Sequence, residues 1–183
     1  MLEQDRSVGL QFRRVDSARF GRAWQLLEQA FPAVELRSRR RARALLDNRK
    51  YRLLEAKTDR RTFAGIIADW QLNDFRFIEH LAVDSSLRGR GVGSAMLRAY
   101  LTAEPRPVVL EVEEPKNDQQ WQRIRFYRRL GFRLNPFGYR QPALQPLDTA
   151  AVKLSIMSWP GELSPATFRQ VKKIIFRDVY GRA

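Results

Sequence analysis

The stretch Arg88-Gly89-Arg90-Gly91-Val92-Gly93-Ser94 sets three glycines and two arginines between an apolar run and a helical pattern. That combination suits a pyrophosphate. Glycines let backbone N–H groups approach an anion, a helix start presents unpaired amides and a positive dipole end, and arginine adds charge. A Walker loop is excluded, because Gly93-Ser94-Ala95 lacks the Gly-Lys-Ser/Thr ending. A dinucleotide fingerprint needs an early βαβ unit, whereas this turn follows consecutive strands that read as antiparallel hairpins. What remains is a nucleotide-like ligand on a mixed α+β sheet. Carboxylates inside apolar strands are the second chemical signal: Glu79 in FIEHLAV, and Glu111 and Glu113 on one face of VVLEVEEP. A buried unpaired charge is costly, so each acid must move a proton, bind a cation or pair with an arginine. Glu79 lies two residues before Leu81 and is expected on the same strand face. His80 then falls on the opposite face, as a hydrogen-bonded core histidine.

Composition removes other chemistries. Cysteine is absent, which excludes disulfides, thiolate zinc sites and a cysteine nucleophile, and His80 is the one histidine, so no metal site is expected. The 183 residues carry 34 Lys and Arg against 20 Asp and Glu, a net charge of +14, and the bases are mostly arginine. Such a field draws polyanions, or else the arginines are a solvated surface. A hydrophobic content of 44% is enough for a core. No apolar run approaches the roughly 18 residues of a membrane span, and the start MLEQD does not read as a signal peptide. The expectation is a soluble cytoplasmic protein without a membrane partner.

The elements that must position these residues follow from periodicity. Residues 8–15 alternate as a strand. Asp16 is read as the cap of a helix whose stripe is Phe20, Trp24, Leu27 and Phe31. Residues 35–46, ELRSRRRARALL, read as a second helix, and 51–56, 62–70 and 75–83 as strands. The glycine turn runs into a helix. Residues 107–113 read as a strand, 118–130 as a helix, 131–132 as the start of another strand, 135–147 as a proline-rich loop and 152–157 as a last strand. Ser164-Pro165 opens a C-terminal helix over 164–180 with the stripe Phe168, Val171, Ile174, Ile175 and Val179. One domain over 1–183 is expected, a core of 1–160 with this helix docked on it; a homodimer contact is the alternative use of the stripe.

Residues 77–96, FIEHLAVDSSLRGRGVGSAM, resemble the central strand and cofactor loop of the GNAT superfamily of acyl-CoA-dependent N-acyltransferases. The Arg/Gln-x-x-Gly-x-Gly/Ala signature falls on Arg88, Gly91 and Gly93. Residues 125–132, RFYRRLGF, resemble the second hallmark, an aromatic pair followed by Gly-Phe. IEHLAV, LEVEEP and the tail ending Val179-Tyr180-Gly181 are further similar to a bacterial subgroup of that superfamily. The resemblance implies an α+β fold, a mostly antiparallel mixed sheet flanked by helices, with an added C-terminal helix. It implies acetyl-CoA as acyl donor and no metal. Leu81, Ala82 and Val83 would align the pantetheine arm, and the amides of Gly89, Arg90, Gly91, Val92, Gly93 and Ser94, with Arg88, would hold the pyrophosphate. Tyr127 matches the tyrosine that protonates the departing thiolate. Glu79 and Glu113 are the candidates for base or ammonium binder, with ion pairing to arginine as the competing reading. Gln120 and Arg123 stand where many relatives have asparagine and alanine, and Arg123 reads as solvated.

Three functions compete. The first is an N-acetyltransferase acting on a small-molecule or peptide amine. The second is an RNA-directed enzyme that acetylates aminoacyl-tRNA, for which Arg13, Arg14 and the arginines of 37–43 speak. The aromatic side chains expected for single-stranded readout are missing from that basic run. The third is a non-catalytic CoA-binding module, which the presence of Tyr127 disfavours.

Overall fold

The computed structural model describes residues 9–59, 61–142, 144 and 152–182. The chain runs β1 (Leu10–Arg14), α1 (Phe20–Ala30), α2 (Arg39–Ala44), β2 (Tyr51–Thr58), β3 (Phe63–Gln71), β4 (Arg76–Val83) and α3 (Val92–Ala103). It continues with β5 (Val108–Glu113), α4 (Asp118–Arg129), β6 (Arg133–Leu134), β7 (Tyr139–Gln141), β8 (Val152–Trp159) and α5 (Pro165–Asp178). The strands form one sheet in the order β1-β2-β3-β4-β5-β8-β6, and β7 also pairs with β8. Among the described residues every pairing is antiparallel except β4 with β5.

The alternation of each strand divides the apolar residues between two cores. Phe77, Trp70, Ile66 and Val109 face α1 and α5, where Phe20, Trp24, Phe168 and Ile175 cover them. Ile78, Ile67, Leu110 and Val112 face α3 and α4, covered by Met96, Leu97, Ile124 and Tyr127. The central β3 is buried along almost its whole length because helices lie on both sides. The helices begin where local chemistry allows. Asn117 accepts the Gln120 amide at 3.0 Å and starts α4, while Arg128 and Arg129 complement the dipole at its end. Ser164 accepts the Thr167 amide at 3.1 Å ahead of Pro165. The apolar stripe of α5 is thereby docked on the sheet, with Phe168, Val171 and Ile175 buried. No helix among the described residues is long and apolar enough to cross a membrane.

Several sequence expectations are corrected. Asp16 closes a turn on the Arg19 amide at 3.0 Å, and the helix itself begins at Phe20. The stretch 35–46 is not one helix: Leu36 is extended and buried, and α2 starts only after the Ser38 cap. The proline-rich loop contains β7, held as a strand by its register with β8 from Tyr139↔Leu154 to Gln141↔Val152. The starting residues 1–8, with Val8 of the first strand, and residues 143 and 145–147 of the loop lie outside the described residues.

One irregularity shapes the centre of the sheet. Between β3 and β4 the register passes from Asp69↔Ile78 to Ala68↔His80, so Glu79 is an extra residue without a partner across the ladder. Such a bulge bends a strand and sharpens its twist. The parallel pairing of β4 with β5 ends at the same place, at Ile78↔Leu110, although β4 runs on to Val83 and β5 to Glu113. The two strands therefore splay apart. The bulge also resets the alternation, so that Glu79 and His80 share the α1/α5 face while Leu81 packs with the other core. The expected assignment of Glu79 to the face of Leu81, with His80 opposite, fails for this reason.

Candidate active site

The splay opens a cleft of about 380 Å³ that passes through the sheet. From the α3/α4 side it is lined by Leu81, Val83, Arg88, Arg123, Phe126 and Tyr127. From the α1/α5 side it is lined by Phe31, Glu35, His80, Glu111, Glu113 and Gln141. A reacting pair can thus meet in the middle after entering from opposite faces.

At the α3/α4 end an unpaired strand edge lies near a glycine turn and a helix start. Beyond Ile78, β4 pairs with β3 along one edge and turns its other edge, including Leu81, Ala82 and Val83, to the cleft. Asp84 accepts the Ser86 amide at 3.0 Å, and Arg88 Nε donates to the Val83 carbonyl at 3.2 Å, which folds the turn back on the strand. Gly89 and Gly91 then have φ of +73° and +75°, a region that favours glycine. Gly91 is the N-cap of α3 and supplies no side-chain cap, so the first-turn amides of Val92, Gly93 and Ser94 lack helical partners. A Cβ on Gly93 would stand 3.2 Å from Val83 Cγ2, which is why the helix start can close on the strand end. Arg90 is exposed on the turn, and the Val92 side chain is buried in the core, so only its amide faces outward chemistry.

Tyr127 comes to the cleft from α4, with its ring edge-on to Phe126 at 5.0 Å and Phe132 at 5.6 Å. Burial pushes its phenol up to about 12, partly offset by Arg123, so it is a protonated group.

The carboxylates differ in what holds them. Glu79 makes a buried ion pair with Arg37 and accepts Trp70 Nε1 at 3.0 Å. Glu113 pairs with Arg123 Nη1 at 3.2 Å at the cleft wall. Both are therefore arginine-paired. Arg123, read as solvated, lines the cleft, whereas Gln120 lies in the α4 cap, where its side chain accepts the Lys116 amide at 2.6 Å. His80 is a core histidine as expected: Nε2 lies 3.1 Å from the Glu35 carbonyl, and burial lowers it to about 4, so it is neutral at physiological pH.

Two acids are more important in the structure than their sequence positions suggested. Glu111 is half-buried, and desolvation pushes its carboxyl up to about 7 against the hydrogen bonds that favour its ionised form. Those come from the Tyr139 hydroxyl, from Tyr180 at 2.7 Å and from Gln141 Nε2 at 2.9 Å. Glu35, which follows α1, lines the mouth; burial and then the nearby Glu113 raise its carboxyl, with Arg123 opposing. Alternation placed Glu111 and Glu113 together, but no local signal told which would be enclosed. Glu35 carried no signal at all.

The basic run also divides. Arg37 is largely buried in the site, and Arg14 Nη2 is engaged with the Tyr51 carbonyl at 3.0 Å. Arg39, Arg40, Arg41 and Arg43 remain exposed.

Solved structures of GNAT acetyltransferases share this fold. The "Putative acetyltransferase from GNAT family" of Bacteroides thetaiotaomicron superposes with a TM-score of 0.87 at 27% identity, covering 94% of this chain and 99% of that one. The ribosomal-protein-S18-alanine N-acetyltransferase of Escherichia coli matches at 0.60 and 17% identity, over 85% and 96% of the two chains, a likeness of fold alone. Residues 49–134 match the family model of the acetyltransferase (GNAT) domain. The "Putative acetyltransferase YjbC" of Bacillus subtilis (strain 168) is 30% identical over 141 residues, 74% of this chain and 69% of that protein. The chain belongs to the GNAT acetyltransferase superfamily, whose members are acyltransferases that use acetyl-CoA as co-substrate.

Proposed function

We propose that the protein transfers an acetyl group from acetyl-CoA to the primary amine of a cationic acceptor by direct attack. The observation that carries this reading is the cleft through the sheet, lined by Tyr127 and Arg88 on one side and by carboxylates on the other, with the uncapped start of α3 following Arg88 in the chain. The pyrophosphate of acetyl-CoA fits the amides from Gly89 to Ser94 with Arg88 and Arg90, and its pantetheine arm fits the edge Leu81–Val83. An amide near Leu81 or Ala82 serves the carbonyl oxygen as charge develops there. Glu113, with Glu35, draws the acceptor ammonium into the mouth, and Glu111 takes a proton from it. The neutral nitrogen attacks the thioester carbon, the N–C bond forms and the C–S bond breaks. Nitrogen sheds its second proton to solvent water, while Tyr127 gives its own proton to sulfur and regains one from solvent. Glu79 holds Arg37 in place beside Glu111 in this scheme.

The direct test is release of free CoA from acetyl-CoA in the presence of a diamine, a lysine peptide, a free peptide N-terminus or an aminoacyl-tRNA. Release with the first three supports the proposal. Release with aminoacyl-tRNA alone would make the exposed arginines of α2 a docking face, and no release would leave a CoA-binding module. Two variants test the ends of the cleft separately. Gly91→Ala forces a side chain into left-handed backbone at a strain of roughly 1–2 kcal/mol, so the acetyl-CoA KM is expected to rise about tenfold with kcat nearly kept. Glu113→Gln is expected to raise the acceptor KM several-fold and leave the acetyl-CoA KM alone; steady-state kinetics with each substrate varied in turn checks both.

A further inference from the structure

We propose that Tyr180, just beyond the C-terminal end of α5, is a positioning residue for the transfer: its hydroxyl holds the Glu111 carboxylate in the orientation and ionised form in which it accepts the acceptor's proton. The proposal rests on the assignment of Glu111 as the proton acceptor made above.

The geometry is a closed triangle. Tyr180 donates to Glu111 Oε2 at 2.7 Å, Gln141 Nε2 donates to the same oxygen at 2.9 Å, and Gln141 Nε2 also donates to the Tyr180 oxygen at 2.9 Å. The Tyr139 hydroxyl holds the other carboxylate oxygen. Glu111 stands on β5, but these donors come from β7 and from the chain after α5. A flexible carboxylate on a strand at the splay is thereby fixed by elements distant in sequence. Tyr180 is itself held firmly. Its amide donates to the Ile175 carbonyl at 3.2 Å, and its ring meets Phe176 edge-on at 6.4 Å. Arg37 lies 5.9 Å from that ring and donates through Nη2 to the Val179 carbonyl at 2.8 Å. The same guanidinium pairs with Glu79. Arg37 therefore ties the end of α5 to β4, and Tyr180 ties it to β5, so the docking of a remote apolar helix becomes a condition for the site.

The charges around Glu111 fix the sign of the effect. Tyr139 and Gln141 face it from β7, Tyr180 from the α5 end and Arg37 from the segment before α2. Glu79, Glu113, Glu35 and neutral His80 share the cleft. Burial favours the protonated acid, whereas each of the three donors and Arg37 favours the carboxylate. Removing the Tyr180 hydroxyl must then make Glu111 harder to ionise. Loss of a hydrogen bond to a charged group is expected to raise its titration by about one pH unit. Phenylalanine keeps the ring contacts with Phe176 and Arg37, so packing is retained.

The experiment follows Glu111 by 13C carboxyl NMR in the free protein, its resonance identified by its loss in Glu111→Gln. The kcat–pH profile is recorded alongside, with acetyl-CoA and whichever of a diamine, a lysine peptide or a peptide N-terminus turns over fastest. Tyr180→Phe is expected to move both the NMR midpoint and the acid limb of kcat upward by about one unit, with activity at pH 7 reduced severalfold and recovered near pH 9. An unmoved midpoint overturns the proposal. So does a uniform loss at all pH values, which a packing role alone would produce. If Glu111→Gln keeps full turnover, it is the assignment of Glu111 that fails; if that variant is inactive while the limb in Tyr180→Phe stays put, only the role of Tyr180 falls.

Discussion

Glu111→Gln is expected to lower kcat by about 10²–10⁴-fold, the range over which positioned general bases contribute. The substitution keeps the shape of the side chain and its place under Tyr139, Gln141 and Tyr180, and the two tyrosine hydroxyls can turn to accept from an amide. What it removes is the capacity to take a proton. With the wild-type carboxyl raised to about 7 by burial, activity should fall as pH drops below that value, because the carboxyl must be ionised to act. In the glutamine variant that limb should vanish, and residual turnover should instead follow the fraction of acceptor present as free amine. The same shift has a consequence for stability. A carboxyl that is harder to ionise when folded stabilises the fold at low pH, and that contribution is lost as pH rises from the ordinary glutamate range, about 4.3, through about 7. The variant lacks this dependence, so the change in its urea midpoint between pH 5 and pH 8 should be smaller than in the parent. A variant with full kcat, or one that keeps the acid limb, would exclude Glu111 as the base.

How far the sequence carried to this point depends on where each instruction is written. The glycine turn was legible because its geometry is written in backbone: the positive φ at Gly89 and Gly91 favours glycine, and a Cβ on Gly93 would crowd Val83 Cγ2 at 3.2 Å, so the residues themselves record the turn. Tyr127 stood out through the aromatic pair on α4 and the Gly131-Phe132 that follows the helix. The carboxylate side of the cleft was not legible, because its logic lies between elements. The bulge at Glu79 is a property of the register between two strands, and no residue in IEHLAV announces it. Yet it reverses the face of Glu79 and opens the splay. Arg37 sits in a run of arginines and differs from them only by being folded inward against Glu79. Tyr139 and Gln141 belong to a three-residue strand among prolines, too short for alternation to show, and it exists through its pairing with β8. The stripe of α5 marks an apolar face, but nothing in it tells that the chain beyond its end reaches a carboxylate on β5. The +14 charge is similarly reapportioned: some arginines are internal ties, a pair stands at the donor turn, and the exposed ones of α2 are left for solvent or a polyanion.

Tyr127→Phe is expected to reduce kcat by about 10²-fold while the acetyl-CoA KM changes by no more than about twofold. The ring is packed against Phe126 and Phe132, and phenylalanine preserves those contacts, so neither the fold nor donor binding should suffer. The loss falls on the departing sulfur. A phenol raised to about 12 stays protonated through the working range, so the deficit should be the same from pH 6 to pH 10 and Tyr127 should contribute no alkaline limb. That phenol is a weaker acid than an ordinary thiol, which titrates near 8.5. Its assistance is therefore greatest when the C–S bond is far broken and sulfur carries most of the charge, and it acts first as a hydrogen bond and then as a proton source. The leaving group supplies the decisive comparison. An aryl thioester of the same acetyl group departs as a more stable thiolate and needs less help. The ratio of wild-type to Tyr127→Phe turnover should shrink with that donor and remain large with acetyl-CoA. A tyrosine that merely shapes the cleft would cost both donors equally, and that result would remove Tyr127 from the proton path.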